Sequence, residues 1–325
     1  MNGNSCFTAN NYLWIDKVMP ITQILQQILI IFCYVSVGYT AGKFKLINPE
    51  QRVFLTRFCS SLVLPFTILS GASLELGAEE FSNLKQAVAM MFMVFGGTMA
   101  LSLIIHRLIH TEKKLAAALT SLITFPNCTF LGLPLCLALF GQIALLYNAA
   151  AMIAFNVLFF AFQVPLFTGE RFRPKALLSV PNITTAALLV MLMLGLHWPA
   201  PIQTVISSIG TMITPLSLII IGVMLSENDL LALFREKLVY LVALFRNFLI
   251  PFVTMLLLMP LKMDLQSKLC ILVFISCPCA TLTTIYSIQT GTKPELCARS
   301  VLFSTIVFSV SLPAVMALGQ AMLGQ

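Results

Sequence analysis

The residues of this chain best suited to chemistry cluster around two prolines, each in the middle of an apolar run. Residues 119–135 (LTSLITFPNCTFLGLPL) hold Pro126, Asn127, Cys128, Thr129, Gly132 and Pro134, and residues 272–289 (LVFISCPCATLTTIYSIQ) hold Cys277, Pro278, Cys279, Thr281, Thr283 and Thr284. Proline removes a backbone donor and clashes with the preceding turn, so each run should open at its centre. Gly132 lowers the cost of irregular backbone between Pro126 and Pro134. Asn127 is a preferred N-cap residue, placed to start a second half-helix. The chemistry this suggests is binding rather than bond-making. A half-helix N-terminus carries roughly +0.5 charge and free N–H groups, which suit a carboxylate. The plainer reading is a structural kink, with Asn127 bonded to a neighbouring helix and the threonine hydroxyls replacing lost helical partners. The second break favours the binding site, because paired interruptions in corresponding places point to a transporter's site.

Other candidates carry less. Cys277-Pro-Cys279 resembles a soft-cation site of metal-pumping ATPases, where two thiolates hold an ion such as Cu(I). Those pumps need a phosphorylated aspartate and a nucleotide domain, for which this chain has no room. Arg246 falls roughly 12 Å into an apolar segment that starts at Leu238, counting 1.5 Å per residue. It reads either as an interior cation for an anionic ligand or as a side chain snorkelling to the surface beside Lys237. No Asp or Glu lies in the core of an apolar segment, which argues against a proton relay of intramembrane carboxylates. Asn148, Asn156, Asn247 and Gln163 suit interhelical hydrogen bonds. Gly38 and Gly42 form a GxxxG pair that suits close helix packing. His106, His110 and His197 fall at segment ends and read as satisfied interfacial residues. No cofactor, nucleotide or hydrolase motif is present, so the chain does not read as an enzyme.

The elements that must position these residues are membrane helices. The chain has 325 residues, 59% hydrophobic and 10% charged, with mean hydropathy +0.96; a soluble domain would carry about 25% charge. Ten apolar segments approach the roughly 20 residues a bilayer requires: about 21–41, 53–72, 84–105, 115–140, 145–167, 176–196, 202–225, 238–259, 269–289 and 298–317. Pro49, Pro174, Pro201 and Pro294 stand just before segments, as first-turn prolines do. Nine cysteines are scattered, mostly in apolar surroundings, and read as reduced. Residues 1–18 lack the order of a cleaved signal peptide. They read as a short tail (1–20 in all) or as a stretch preceding a true start at Met19.

Loop charge sets the orientation. Lys43, Lys45, Arg52, Arg57, Arg107, Lys113, Lys114, Arg171, Arg173, Lys175, Arg235, Lys237, Lys293 and Arg299 fall on one side, fourteen in number, against four (Lys17, Lys85, Lys262, Lys268) on the other. The positive-inside rule makes the first side cytoplasmic and puts both termini outside. The net charge of +7 thus belongs to membrane topology and not to nucleic acid. An internal repeat supports the count. LVLPFTILSGASL matches MITPLSLIIIGVML, with Pro65 and Gly71 against Pro215 and Gly222. KKLAAALTSLITFPNC matches SKLCILVFISCPC, each leading on to a glycine, Gly141 or Gly291. Five segments per copy means the second copy is inverted, a recurrent plan of secondary transporters.

With these residues in view, the chain resembles the auxin efflux carrier family of permeases. The resemblance runs through IIFCYVSVGYTAGKFKLINPE, LVLPFTILSGASL, FPNCTFLGLPL, ITPLSLIIIGVML and TGTKPELCARSVLFSTIVFSVSLP. It implies an all-α integral membrane fold of ten helices in two inverted five-helix repeats, with broken helices 4 and 9 crossing near the midplane. Helices 1, 2, 6 and 7 (residues 21–72 and 174–225) would form a scaffold, able to pair in a homodimer. Helices 3–5 and 8–10 (83–169 and 233–325) would form a transport unit moving like an elevator. A small organic anion, a dicarboxylate or an auxin-like carboxylate, would bind beside Pro126, Asn127, Cys128, Thr129, Gly132, Pro278, Cys279 and Thr281, with Arg246 adding charge. The chain departs from the plant carriers in its short loop near 168–175, and so is similar to short microbial permeases of the cell membrane. It also has threonines after Pro278 where many relatives place an asparagine. The competing reading is a membrane sensor that binds on such a fold without transporting.

Overall fold

The computed structural model describes residues 21–172, 174–227 and 233–324, which leaves the tail of residues 1–20 and the terminal Gln325 outside the description. Among the described residues the protein is helical, with a single isolated β-bridge. In chain order the helices are α1 (Ile21–Lys43), α2 (Pro49–Ser73), α3 (Ala78–Leu108), α4a (Lys113–Thr124) and α4b (Cys128–Gly132 running into Leu133–Phe140). There follow α5 (Ala144–Leu158 continuing to Thr168), α6 (Val180–Met193), α7 (Ala200–Ser226), α8 (Lys237–Leu258), α9a (Leu265–Ser276), α9b (Thr281–Thr290) and α10 (Pro294–Leu323).

Seven described stretches are long and apolar enough to cross a membrane, with α4b and α5 counted as one. The sequence expectation was ten. The gap has a physical source: breaking a helix at proline leaves pieces of 12 residues in α4a and α9a, and α6 keeps only 14. Each is shorter than the roughly 20 residues that span hydrocarbon. α6 also starts later than expected. Pro174 opens a 3₁₀ turn (Pro174–Leu177), and the helix begins after Ser179 with Pro181 in its first turn. At α2 the expectation holds, with Pro49 at the first position behind an Asn48–Gln51 capping box.

Prolines shape the other helices by one recurring device. Cys59–Val63, Cys128–Gly132, Phe159–Gln163 and Phe245–Leu249 are π-turns, and each is followed by one residue and then proline (Pro65, Pro134, Pro165, Pro251). The residue before each proline donates its N–H five residues back, as Leu133 does to Cys128. An α-helical turn would drive the proline ring into the carbonyl four residues earlier. One extra residue in that turn moves the carbonyl aside. In α7 the helix instead breaks before Pro215, between Gly210 and Ile213, and Thr67 of α2 donates to the freed Gly210 carbonyl at 2.8 Å.

Packing is closest where α1 lies along α7. A Cβ on Gly38 would fall 2.1 Å from the Ile219 carbonyl oxygen, and one on Gly222 would fall 2.1 Å from that of Val35. Only hydrogen fits at such a backbone contact, so the GxxxG pair serves packing. Two ion pairs tie helix ends together: Arg52 with Glu227 at 2.9 Å, and Lys293 with Glu112 at 2.9 Å. A Gly222→Val variant should overpack this contact and cost about 1–3 kcal/mol or more. Its thermal unfolding midpoint in detergent should fall by several degrees. Gly97→Ala, where nothing lies within 4 Å of the added carbon, should hold the wild-type midpoint. Equal midpoints for the two variants would contradict the packing.

Candidate functional site

The two proline breaks face each other. α4a ends at Thr124, and Phe125 is extended, with φ −98° and ψ 117°. α9a ends at Ser276, and Cys277 and Ala280 are extended, with ψ 148° and 131°. Between them Pro126 pairs antiparallel with Cys279. Ala280 N–H donates to the Phe125 carbonyl at 2.9 Å, and Asn127 N–H donates to the Pro278 carbonyl at 2.7 Å. A third donor, Cys279 N–H, reaches Ser304 Oγ of α10 at 3.1 Å. Each helix, opened by its own proline, thus has its backbone satisfied by the other. Phe125 plugs one side, buried among Phe95, Phe155 and Phe159 with ring centroids 5.0–6.4 Å away.

Two half-helix N-termini start from this bridge. At α4b the Asn127 Oδ1 accepts Phe130 N–H at 3.3 Å, which is the capping role its type suggested. Asn127 is 6% exposed, and its Nδ2 has no hydrogen-bond partner among the described residues. At α9b the N-cap is Ala280, with no side-chain cap. Thr281 follows, half-buried, its hydroxyl without a partner among the described residues. The other expected site residues are engaged in structure. Thr129 donates to Met152 Sδ at 3.4 Å, and Cys128 Sγ to the Phe274 carbonyl at 3.7 Å. Thr283 shares a 2.8 Å hydrogen bond with Ser121, joining α9b to α4a. Cys277 Sγ donates to Val273 O at 3.3 Å. The described residues contain no group of three His, Cys, Asp or Glu side chains able to hold a metal. Gly132 lies where α4b meets α9a: a Cβ there would be 2.9 Å from Cys277 Sγ and 3.1 Å from Phe274.

Of the two readings of Arg246, the structure has the interior one, with partners the sequence did not suggest. The residue lies in the π-turn of α8 and is fully buried, so it neither snorkels beside Lys237 nor presents itself to an open cavity. Its Nε donates to the Cys277 carbonyl at 2.8 Å, and Nη1 donates to Ile123 and Thr124 carbonyls at 3.1 and 3.2 Å. Nη2 donates to the Ile275 carbonyl. Three of these oxygens are terminal carbonyls of α4a and α9a, and the fourth belongs to Cys277 just past α9a; none has a helical partner of its own. The guanidinium closes both helices at once. Beside it Asn247 donates from Nδ2 to the Ser304 carbonyl at 3.1 Å. Ser304 therefore holds α9 and α8 together, and nothing in its sequence context marks it. The histidines stay peripheral: His106 Nδ1 bonds Thr111, and His197 Nδ1 lies 2.7 Å from the Ala72 carbonyl.

The arrangement separates the four helix ends by charge. The carbonyl ends converge on Arg246, and the N–H ends carry Asn127 and Thr281 with free hydrogen-bonding groups. The model of the family described as membrane transport protein matches residues 23–171 and 171–316, nearly the whole chain. The chain belongs to that family. This is the family whose resemblance the helix 4 block carried, and with the long apolar helices it marks a multi-pass membrane transport protein. No curated protein matches the chain significantly.

The contact at Gly132 is open to a double-mutant cycle. Gly132→Ala alone should destabilise the transport protein by about 1–3 kcal/mol, because its methyl meets Cys277 Sγ. Adding Cys277→Ala should recover part of that loss, read as a coupling of about 0.5 kcal/mol or more in thermal or denaturant unfolding. Strict additivity would contradict the close approach.

Proposed function

We propose that the protein is a secondary transporter for small organic anions, with the carboxylate seated at the N–H ends of α4b and α9b. The observation carrying this reading is the pair of unpartnered polar groups, Asn127 Nδ2 and the Thr281 hydroxyl, at two half-helix N-termini brought together by the bridge. Helix N-termini favour anions through exposed N–H groups and roughly +0.5 charge each. Pro126 and Pro278 open the backbone, and Asn127 and Thr281 orient the carboxylate. Arg246 acts from behind the crossing and not by direct contact. Dicarboxylates and auxin-like carboxylates are the cargo class. In this reading the ten helices form two inverted repeats, the breaks lie near the midplane of the cell membrane, and both termini face outward. Helices α3–α5 and α8–α10 move as an elevator against a scaffold of α1, α2, α6 and α7 that pairs in a homodimer. The close glycine seam between α1 and α7 suits a rigid scaffold, and the mutual pairing of α4 and α9 suits a single moving unit.

The test is flux in liposomes holding the purified protein, with radiolabelled malonate, malate and indole-3-acetate as cargo. At least one should be taken up or exchanged. Asn127→Ser keeps an oxygen able to cap α4b but removes Nδ2. Losing one charge-assisted hydrogen bond is worth about 1.5–3 kcal/mol, tenfold or more in apparent affinity. Normal transport in that variant would overturn the site. Saturable binding with no flux would favour a sensor.

A further inference from the structure

We infer that Arg246 is a tethered cation occupying the position where the carbonyl ends of two half-helices would otherwise recruit a metal ion, so that this carrier runs without an alkali cation at its crossing. The consequence for transport rests on the carrier reading above; the placement rests on geometry alone. Four carbonyl oxygens converge there, from Ile123 and Thr124 at the end of α4a and from Ile275 and Cys277 at the end of α9a. They come from two chain segments about 150 residues apart, gathered by the bridge just beyond them. Clustered carbonyls are hard oxygen donors of the kind that hold hard cations. In secondary carriers, unwound carbonyls and half-helix C-terminal ends are where coupling Na⁺ is commonly coordinated.

Charge gives the same answer. Each helix C-terminus carries roughly −0.5, so two converging ends present about −1. One guanidinium balances that. No carboxylate pairs with Arg246 among the described residues, so its counter-charge is the backbone itself. An arginine held this way for its charge alone could be a lysine, but the fork donates to oxygens of both helices at once. The guanidinium stays protonated in proteins and cannot leave between transport cycles. Its charge is therefore fixed through the cycle, and the charge moved per turnover is that of the cargo.

The experiment uses the purified full-length protein in detergent and reads the thermal unfolding midpoint. NaCl, KCl, LiCl and methylguanidinium chloride are each titrated against choline chloride at constant ionic strength. For the wild type, no salt should give a saturable shift relative to choline. Arg246→Ala and Arg246→Gln should unfold several degrees lower, and methylguanidinium or an alkali cation should restore part of the loss saturably. A merely structural arginine would leave its truncated variants indifferent to which cation is added. A saturable Na⁺ or K⁺ shift in the wild type overturns the inference, as does an identical response of the variants to every salt. Should neither variant yield a monodisperse protein, the wild-type titration decides alone. In liposomes, carboxylate uptake should match in choline and sodium buffers, and accumulation driven by a Na⁺ gradient would overturn the inference. Absence of flux in every buffer counts against the carrier reading and leaves the unfolding titration to judge Arg246.

Discussion

A backbone N–H or C=O left unpaired in hydrocarbon costs several kcal/mol, and the centre of this protein answers that constraint. Pro126 and Pro278 each stop a helix partway along. Neither break satisfies all of its own exposed groups. The two are laid antiparallel so that Phe125, Asn127, Pro278 and Ala280 exchange backbone hydrogen bonds, with Ser304 supplying the remaining acceptor. Removing either break would strand the other, so the two halves of the chain depend on one another at this point. The aromatic cluster around Phe125 keeps that side of the bridge closed.

Breaking two helices and crossing them creates four ends, and the rest of the centre is built to manage their partial charges. The two negative ends share Arg246, whose desolvation is offset by carbonyls rather than by a carboxylate. The two positive ends have no such counter-charge, with Asn127 capping one and Thr281 opening the other, and these are the ends the proposed function gives to the anion. With the carbonyl ends neutralised, the pair of N-termini presents about +1, equal and opposite to the charge of one carboxylate. In the proposed reading, binding and architecture are one electrostatic arrangement: the cation that stabilises the crossing also leaves the two N–H ends uncompensated for an anion.

Much of this was legible in the residues. Pro126 and Pro278 in the middle of apolar runs announce breaks, and Asn127 next to Pro126 announces a cap. The paired glycines of α1 do serve close packing: a Cβ on Gly38 would meet the Ile219 carbonyl and one on Gly42 the Ser226 hydroxyl of α7. Gly141 and Gly291, matched by the repeat, both take positive φ, 69° and 63°, after α4b and α9b. What stayed hidden depends on contacts distant in sequence. The depth of Arg246 was readable, but not the convergence of carbonyls from residues 123–124 and 275–277 upon it. Ser304 looks like any serine in an apolar helix until its Oγ is found beside Cys279 N–H. Local signals were also ambiguous: Pro251 sits behind a π-turn, whereas Pro313 lies inside an unbroken α10.

The pairing of the two breaks is tested most directly by crosslinking. Ser121 of α4a and Thr283 of α9b belong to the two crossing elements, with hydroxyl oxygens 2.8 Å apart. In the Ser121→Cys/Thr283→Cys protein, mild oxidation should link the two positions, read by mass spectrometry of the joined peptides. The single variants should give no such product. Efficient linkage is the expected result, with the oxidised protein keeping its unfolding midpoint or raising it. Two cysteines that stay unlinked in a folded protein would contradict the crossing, and with it the site built on it.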